Sequence, residues 1–132
     1  MAYDHVWEPN GVYMSISGNT SGAEINEAID HIRRSPDLSK LSYVIADYSD
    51  VVTFQVTGYD TLLIAGYDYW ISKTTQKLKI ALVGTRPDVV NIFGIYMNAI
   101  VIKDTFDVQV FQDLEPARLW VSGMYGLVSA KG

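Results

Sequence analysis

The segment LKIALVGTRPDVVNIFGIYMNAIVI, residues 78–102, decides how the rest of this chain is read. Its opening, LKIALVG (78–84), is a short apolar run with branched side chains, the pattern of a strand buried on both faces. Thr85-Arg86-Pro87-Asp88 then marks a helix start: Thr85 as cap, Pro87 in the first turn and an acid three residues after the cap. The remainder, VVNIFGIYMNAIVI (89–102), has no charged residue. Its β-branched content alone leaves strand and helix open, and the start signal decides for helix. A membrane span needs about 20 apolar residues. This run is shorter, and Asn91 and Asn98 interrupt it, so a helix buried inside protein is expected.

The same alternation continues on both sides. LSYVIADYS (41–49) reads as a buried strand, and VTGYDTLLIAGYDYWISKTT (56–75) as a helix with Thr57 at its N-cap. Earlier, Ala23, Ile25, Ala28, Ile29 and Ile32 recur at helical spacing, with Thr20 or Ser21 as cap and Pro36 as stop. Residues 3–7 and 11–17 form a hairpin around Pro9-Asn10-Gly11. Toward the C-terminus, DVQVFQ (107–112) is a last strand and Glu115 to Val121 a short helix. The order ββαβαβαβα implies an α/β fold with a mixed, mostly parallel five-stranded sheet and about four helices. Residues 1–122 are expected to form one domain, followed by a loose tail at 123–132.

Composition narrows the function classes. The 132 residues are 48% apolar and 19% charged, which excludes a disordered chain. A net charge of −5, with Arg33-Arg34 as the one basic pair, argues against nucleic acid or anionic membranes as partners. Absence of cysteine removes disulfides, thiol catalysis and thiolate metal sites, and fits a reducing cytoplasm. The N-terminus MAYDHVWEPN lacks the basic and apolar regions of a signal peptide.

Two strings carry a family resemblance. VIADYSDVVTFQVTGYDTL resembles the central strand, loop and helix of STAS domains. FDVQVFQDLEPARLW resembles the closing strand and helix of the SpoIIAA-like (STAS/Sec14-like) bacterial family, through Phe106, Val108, Val110, Phe111, Asp113, Ala117 and Trp120. The resemblance runs from residue 3 to about 122. It implies a small, generally non-enzymatic domain used for protein contacts or apolar-ligand binding, distantly related to anti-sigma-factor antagonists. In those antagonists an Asp-Ser-Ser-Gly string opens the second helix, and its first serine is the phosphorylation switch. Here the string falls on Gln55, Val56, Thr57 and Gly58. Val56 has no hydroxyl to phosphorylate, and Thr57 is the neighbouring candidate acceptor.

Other chemistry is sparse. There is no nucleophile elbow, Walker loop or dinucleotide fingerprint. His5 lies on the first strand without a partner nearby in sequence, and His31 belongs to the solvated face of the first helix, so no metal site and no cofactor are expected. Gly18 to Gly22 reads as a glycine-bounded strand-to-helix turn. Asp47 and Asp50 are read as flanking the loop after the central strand, in turn and cap roles rather than acid–base work. Ligands of open parallel sheets gather beyond the carboxyl ends of the strands. That places a candidate anion or phosphoryl site at Ser49, Thr57, Thr85 and Arg86.

The helices carry the remaining signal. In the second helix Tyr59, Leu62, Leu63, Gly66 and Trp70 are assigned to the sheet, leaving Ile64, Tyr67 and Ile71 outside. In the third, Val89, Phe93, Tyr96, Met97 and Ile100 are assigned to the sheet, leaving Asn91, Ile95, Asn98 and Ile102 outside. A surface helix would carry charge on such a face. Two readings follow: a homodimer or other protein partner covering Ile64, Tyr67, Ile71, Asn91, Ile95, Asn98 and Ile102, or a fatty, lipid-like molecule bound by Tyr67, Trp70, Phe93, Tyr96 and Met97.

Overall fold

A computed structural model describes residues 2–71, 78–99 and 106–123, with the side chains of Ala2, Tyr67, Tyr69, Trp70 and Ile71 left aside. The expected order is found. Strands β1 (Ala2–Glu8) and β2 (Gly11–Ser21) lead into helix α1 (Gly22–Arg33). A 3-10 turn at Leu38–Lys40 precedes β3 (Tyr43–Gln55) and α2 (Gly58–Ile71). Then come β4 (Leu78–Val83), α3 (Pro87–Ala99), β5 (Phe106–Phe111) and α4 (Leu114–Val121). The five strands lie in sequence order, β1 antiparallel to β2 and every later pair parallel.

Alternation along the strands sorts the core into two layers. Val12, Met14 and Ile16 of β2, Val44, Ala46 and Tyr48 of β3, and Leu78, Ile80 and Leu82 of β4 face α1, α2 and α3. The other face presents Ile45, Ala81, Val83 and Phe111 to Ala117 and Trp120 of α4. Val12, Ile16, Ile45, Val83 and Val89 are wholly buried, each worth about 1.5–3 kcal/mol over an exposed position.

The main departure from expectation is the length of β2 and β3. Gly18 to Gly22 is not a loop: Gly18 to Ser21 continue β2 and pair with Val51, Thr53, Phe54 and Gln55 of β3. The register shifts on either side of Gly18, which takes a positive φ of 73°, a conformation that glycine adopts without strain. Asp47 and Asp50, expected beside a loop, therefore lie within β3. The stretch Val51-Val52-Thr53-Phe54 is β-branched and aromatic enough to continue a strand, and the extra residue between Asp47 and Asp50 is absorbed at the register shift between Ser15 and Ser17. β4 stops opposite Asp47, so the distal half of β3 extends beyond it. This two-stranded arm carries the starts of α1 and α2. The carboxyl of Asp60 fills the space where a side chain on Gly22 would stand.

Helix starts are built locally. Ser21 is the cap of α1; its Oγ accepts from the Glu24 N–H and donates to the Glu24 carboxylate. Thr57 caps α2 as expected: its Oγ1 accepts from the Asp60 N–H at 3.0 Å while Asp60 Oδ2 accepts from the Thr57 N–H at 2.9 Å. α3 begins one residue later than the Thr85 cap would place it. Asp88 serves its start instead, accepting from the Val89 N–H. Among the described residues no helix is long and apolar enough to cross a membrane.

Candidate functional site

The exposed and buried sides of α2 are reversed relative to its hydropathy. Thr61, Ile64, Ala65 and Asp68, at spacing i, i+3, i+4, i+7, are buried against the core. Tyr59, Leu62 and Leu63 are 71%, 56% and 44% exposed, and Gly66 is exposed with them. The two stripes differ by two residues, about 200° around the helix, and so stand on opposite sides. Assigning the more apolar stripe to the sheet therefore puts Ile64 outside and Tyr59, Leu62 and Leu63 inside, the reverse of the structure. The reversal is possible because the inward polar groups are satisfied. The Thr61 hydroxyl donates to the Thr57 carbonyl at 2.9 Å, and the Tyr96 hydroxyl of α3 donates to Asp68 Oδ2.

α3 follows expectation more closely. Val89, Phe93 and Tyr96 are buried, and Asn91 and Asn98 are exposed. Met97, assigned to the sheet, is instead exposed with Val90. Ile95 is half-buried, its Cδ1 beside Gly58 of α2, so part of its expected outer surface is already covered within the chain. Ile100 and Ile102 lie outside the described residues, as do the side chains of Tyr67, Trp70 and Ile71. The exposed large apolar residues are thus Tyr59, Leu62 and Leu63 on α2 and Val90 and Met97 on α3.

Beneath this surface is a chamber of about 90 Å³ between the sheet and α1, α2 and α3. Its walls are apolar, with Met14, Ile25, Val44, Ile80 and Phe93 among them, and Thr61, Asp68, Tyr48 and Tyr96 supply the polar atoms. Phe93 and Tyr96, expected at an apolar-ligand site, line it; Met97 does not. Burial pushes the Asp68 carboxyl up to about 6, against the Tyr96 hydrogen bond and the attraction of Arg33, which favour its charged form. Burial also raises Tyr96 and Tyr48, and the nearby Asp68 charge adds to both shifts.

The candidate phosphoryl or anion residues have other engagements. Arg86 grips Asp88 with two hydrogen bonds of 3.1 and 3.0 Å and donates to the Val52 carbonyl at 2.6 Å. The Ser49 hydroxyl donates to Asp47 Oδ1 at 2.6 Å. Thr57 is occupied in its capping box, and Thr85 is exposed. Asp47 is further engaged by the Ser49 N–H and the Tyr13 hydroxyl, so it is a structural acceptor within the sheet.

Sequence reading missed two constellations. Asp68 is a charged residue in an apolar helix, and only its spacing with Thr61, Ile64 and Ala65 marks it as inward-facing. The second lies along β1. Tyr3, His5, Glu27 and His31 meet there: the Tyr3 hydroxyl is 3.0 Å from Glu27 Oε1 and 3.1 Å from His31 Nε2, and the two imidazoles stack at 5.6 Å. His5 Nε2 lies 2.9 Å from the Ala28 carbonyl, an acceptor that requires the proton on that nitrogen. Strand period two on β1 and helical spacing at Glu27, Ala28 and His31 would together have signalled it. Among the described residues no group of histidines and acids is arranged to hold a metal ion.

No protein-family model and no curated protein matches this chain. Among solved structures, the anti-sigma factor antagonist SpoIIAA in its unphosphorylated form is similar at a TM-score of 0.50 and 13% identity. The match covers 92% of this chain and 97% of that one. With the strand order and the four helices, it shows that this chain has the SpoIIAA-like, STAS-type fold.

Proposed function

We propose that this protein is a non-enzymatic, STAS-type regulatory interaction module that pairs with a second copy through the outer surface of α2 and α3. The observation that carries the reading is the outward stripe of α2. Tyr59, Leu62 and Leu63 are large, apolar and exposed along one side of α2, and Val90 and Met97 are exposed on α3. A run of large apolar side chains exposed on one side of a helix is ordinarily covered by a partner. A two-fold pairing is the simplest cover, since symmetric dimers are the commonest soluble assemblies. The non-enzymatic part rests on the engagements of the acids and histidines described above.

Light scattering at low micromolar concentration tests the pairing. The expected result is twice the chain mass for the wild type and the single-chain mass for Leu62→Lys with Leu63→Lys. A wild type that stays monomeric throughout that range overturns the homodimer.

The chamber favours a second reading, a site for a small, largely apolar molecule. A fatty acyl chain exceeds it, since cavities that take up benzene are about 150 Å³ and this one is about 90 Å³. A compact molecule is the class that remains. Uptake of xenon, a smaller apolar probe, followed by amide shifts around Ile25, Ile80 and Phe93, tests this; no saturable shift there would count against it.

A further inference from the structure

We infer that the outer edge of β5, with the crevice at its end, receives an extended, uncharged peptide segment of a partner protein, added to the sheet as one more strand. The crevice follows from the path of the chain. β4 leads into α3 on one face of the sheet, and β5 leads into α4 on the other. Connections that leave neighbouring strands on opposite faces open a gap beyond their carboxyl ends, where ligands of such sheets gather. Here the gap is an open crevice of about 630 Å³ between Thr85, Pro87, Val90 and Asn91 on one side and Val110 and Gln112 on the other. Among the described residues none of its walls carries a charge. Arg86, next to Thr85 in sequence, is engaged by Asp88 and the Val52 carbonyl. A charged ligand therefore finds no counter-charge in the crevice.

The strand beside the crevice names the occupant. β5 is the last strand of the sheet, so one side of its backbone has no neighbouring strand among the described residues. The Gly84 N–H donates to the Phe111 carbonyl, and this fixes which side each residue uses. The N–H and C=O of one strand residue point the same way, and those of the next residue point the opposite way. Asp107, Gln109 and Phe111 therefore turn toward β4, while Val108 and Val110 turn outward. Outward backbone groups of this kind are a template for another strand. Val110 and Val90 are 39% and 41% exposed, so a side chain of that strand on the α3 face finds apolar surface at both walls. Asn91 and Gln112 are exposed and offer amides, each able to donate to and accept from a peptide group. β1, the opposite edge, carries Asp4, His5 and Glu8 within seven residues, the kind of charge that keeps an edge solitary. β5 has only Asp107, which alternation places on the α4 face. A second copy would bring its own Asp107 and a net charge of −5 to this edge, so an uncharged segment of another protein fits better.

The probe is the blocked peptide acetyl-Ser-Val-Thr-Val-Ser-amide, titrated into the full chain while amide shifts and exchange rates are recorded. Saturable shifts are expected at Val90, Asn91, Val110 and Gln112, with slowed exchange of the Val108 and Val110 amides. Val108→Pro removes an outward N–H and spares the ladder to β4; it should weaken the peptide about tenfold through the lost hydrogen bond. Val110→Lys should weaken it from an exposed position, which decides the matter if the proline variant does not fold. Leu62→Lys with Leu63→Lys should leave binding unchanged, because those residues belong to α2. Absence of saturable shifts, or binding indifferent to both β5 variants, overturns the proposal. A wild-type dimer that Val108→Pro dissociates and the Leu62 and Leu63 variant does not would also overturn it, since a second copy would then hold the edge.

Discussion

The Tyr96 hydroxyl on α3 donates to the carboxylate of Asp68 on α2, inside an otherwise apolar layer. This one bond explains how α2 turns a charged residue inward and three large apolar ones outward. Both partners are buried, so the bond ties the two helices together from beneath. The same pair makes stability depend on pH. Asp68 titrates at about 6 in the fold against an ordinary 3.8. A raised carboxyl contributes fully below the ordinary value, and its contribution is lost as pH rises through the folded value. The loss amounts to about 3 kcal/mol on complete ionisation. Urea unfolding should therefore show the wild type losing stability between about pH 4 and pH 7, and Asp68→Asn flattening that slope. A variant that keeps the wild-type slope would sink the assignment.

His5 works in the opposite direction over part of the same range. Burial lowers its pKa, and proximity to His31 lowers it further, while the hydrogen bond to the Ala28 carbonyl pulls it up. A depressed histidine favours the neutral form in the fold. Its contribution is whole above the ordinary value of about 6.5 and is lost as pH falls through the folded value. Proton titration of the His5 ring by NMR should give a midpoint below the ordinary histidine range. His31→Ala should raise it, because the neighbouring imidazole is removed. An unchanged His5 midpoint in that variant would mean the stacked rings are electrostatically independent.

Gly66 and Gly94 separate the folding role of the outer surface from its proposed binding role. Both stand on the exposed sides of α2 and α3, and a methyl added at either meets nothing within 4 Å. Alanine in a helix interior is better than glycine by about 1 kcal/mol. Gly66→Ala and Gly94→Ala should each raise the unfolding free energy by about that amount under monomeric conditions. If the surface is a close-packed seam, the same methyls should weaken self-association measured by light scattering. Destabilised monomers would show that the space is filled.

Most of the fold was legible because its signals are local. Thr57 followed by Asp60, Pro87 in the first turn of α3, and the apolar runs of β3 and β4 each specify their element without help from distant residues. The failures are tertiary. The continuation of β3 through Ser49-Asp50 depends on the register shift between Ser15 and Ser17 of β2, across the sheet. The facing of α2 depends on Tyr96, 28 residues along the chain, which satisfies Asp68. The Tyr3–His31 cluster joins residues 28 apart, so neither histidine showed a partner nearby in sequence. Hydropathy ranks side chains by transfer to an apolar medium and has no account of a polar group whose partner is already buried.

The capping box at α2 gives a local test of the arm. Thr57 and Asp60 satisfy two backbone donors reciprocally, and Asp60 also packs over Gly22 at the start of α1. Thr57→Ala removes one of the two bonds and should cost about 1 kcal/mol. Hydrogen exchange should quicken first at the amides of Gly58, Tyr59 and Asp60. Thr57→Ser keeps the oxygen and should restore protection. Equal loss in both variants would mean the threonine methyl, rather than its hydroxyl, matters at this position.

On the opposite face of the sheet, Gly11 of β2 lies directly across from Tyr43 of β3, and the tyrosine ring covers it. A side chain on Gly11 would come within 2.5 Å of that ring. The ring has little freedom to retreat, because the Tyr43 hydroxyl donates to Glu8 and Arg118 of α4 holds the same carboxylate through two bonds of 2.9 Å. Arg118 in turn lies over the Tyr13 ring, 5.2 Å from its centre. Gly11→Ala therefore forces either a shift of the strand pair or rupture of the Glu8 cluster, and overpacking of this kind costs about 1–3 kcal/mol. Removing the ring should remove the conflict. In a Tyr43→Ala background the added cost of Gly11→Ala should fall to nearly nothing, a coupling that a double-mutant cycle measures by urea unfolding. Additive costs would mean that the glycine answers to backbone conformation alone, and the clamp between β1, β3 and α4 would lose its explanation for why no side chain is tolerated there.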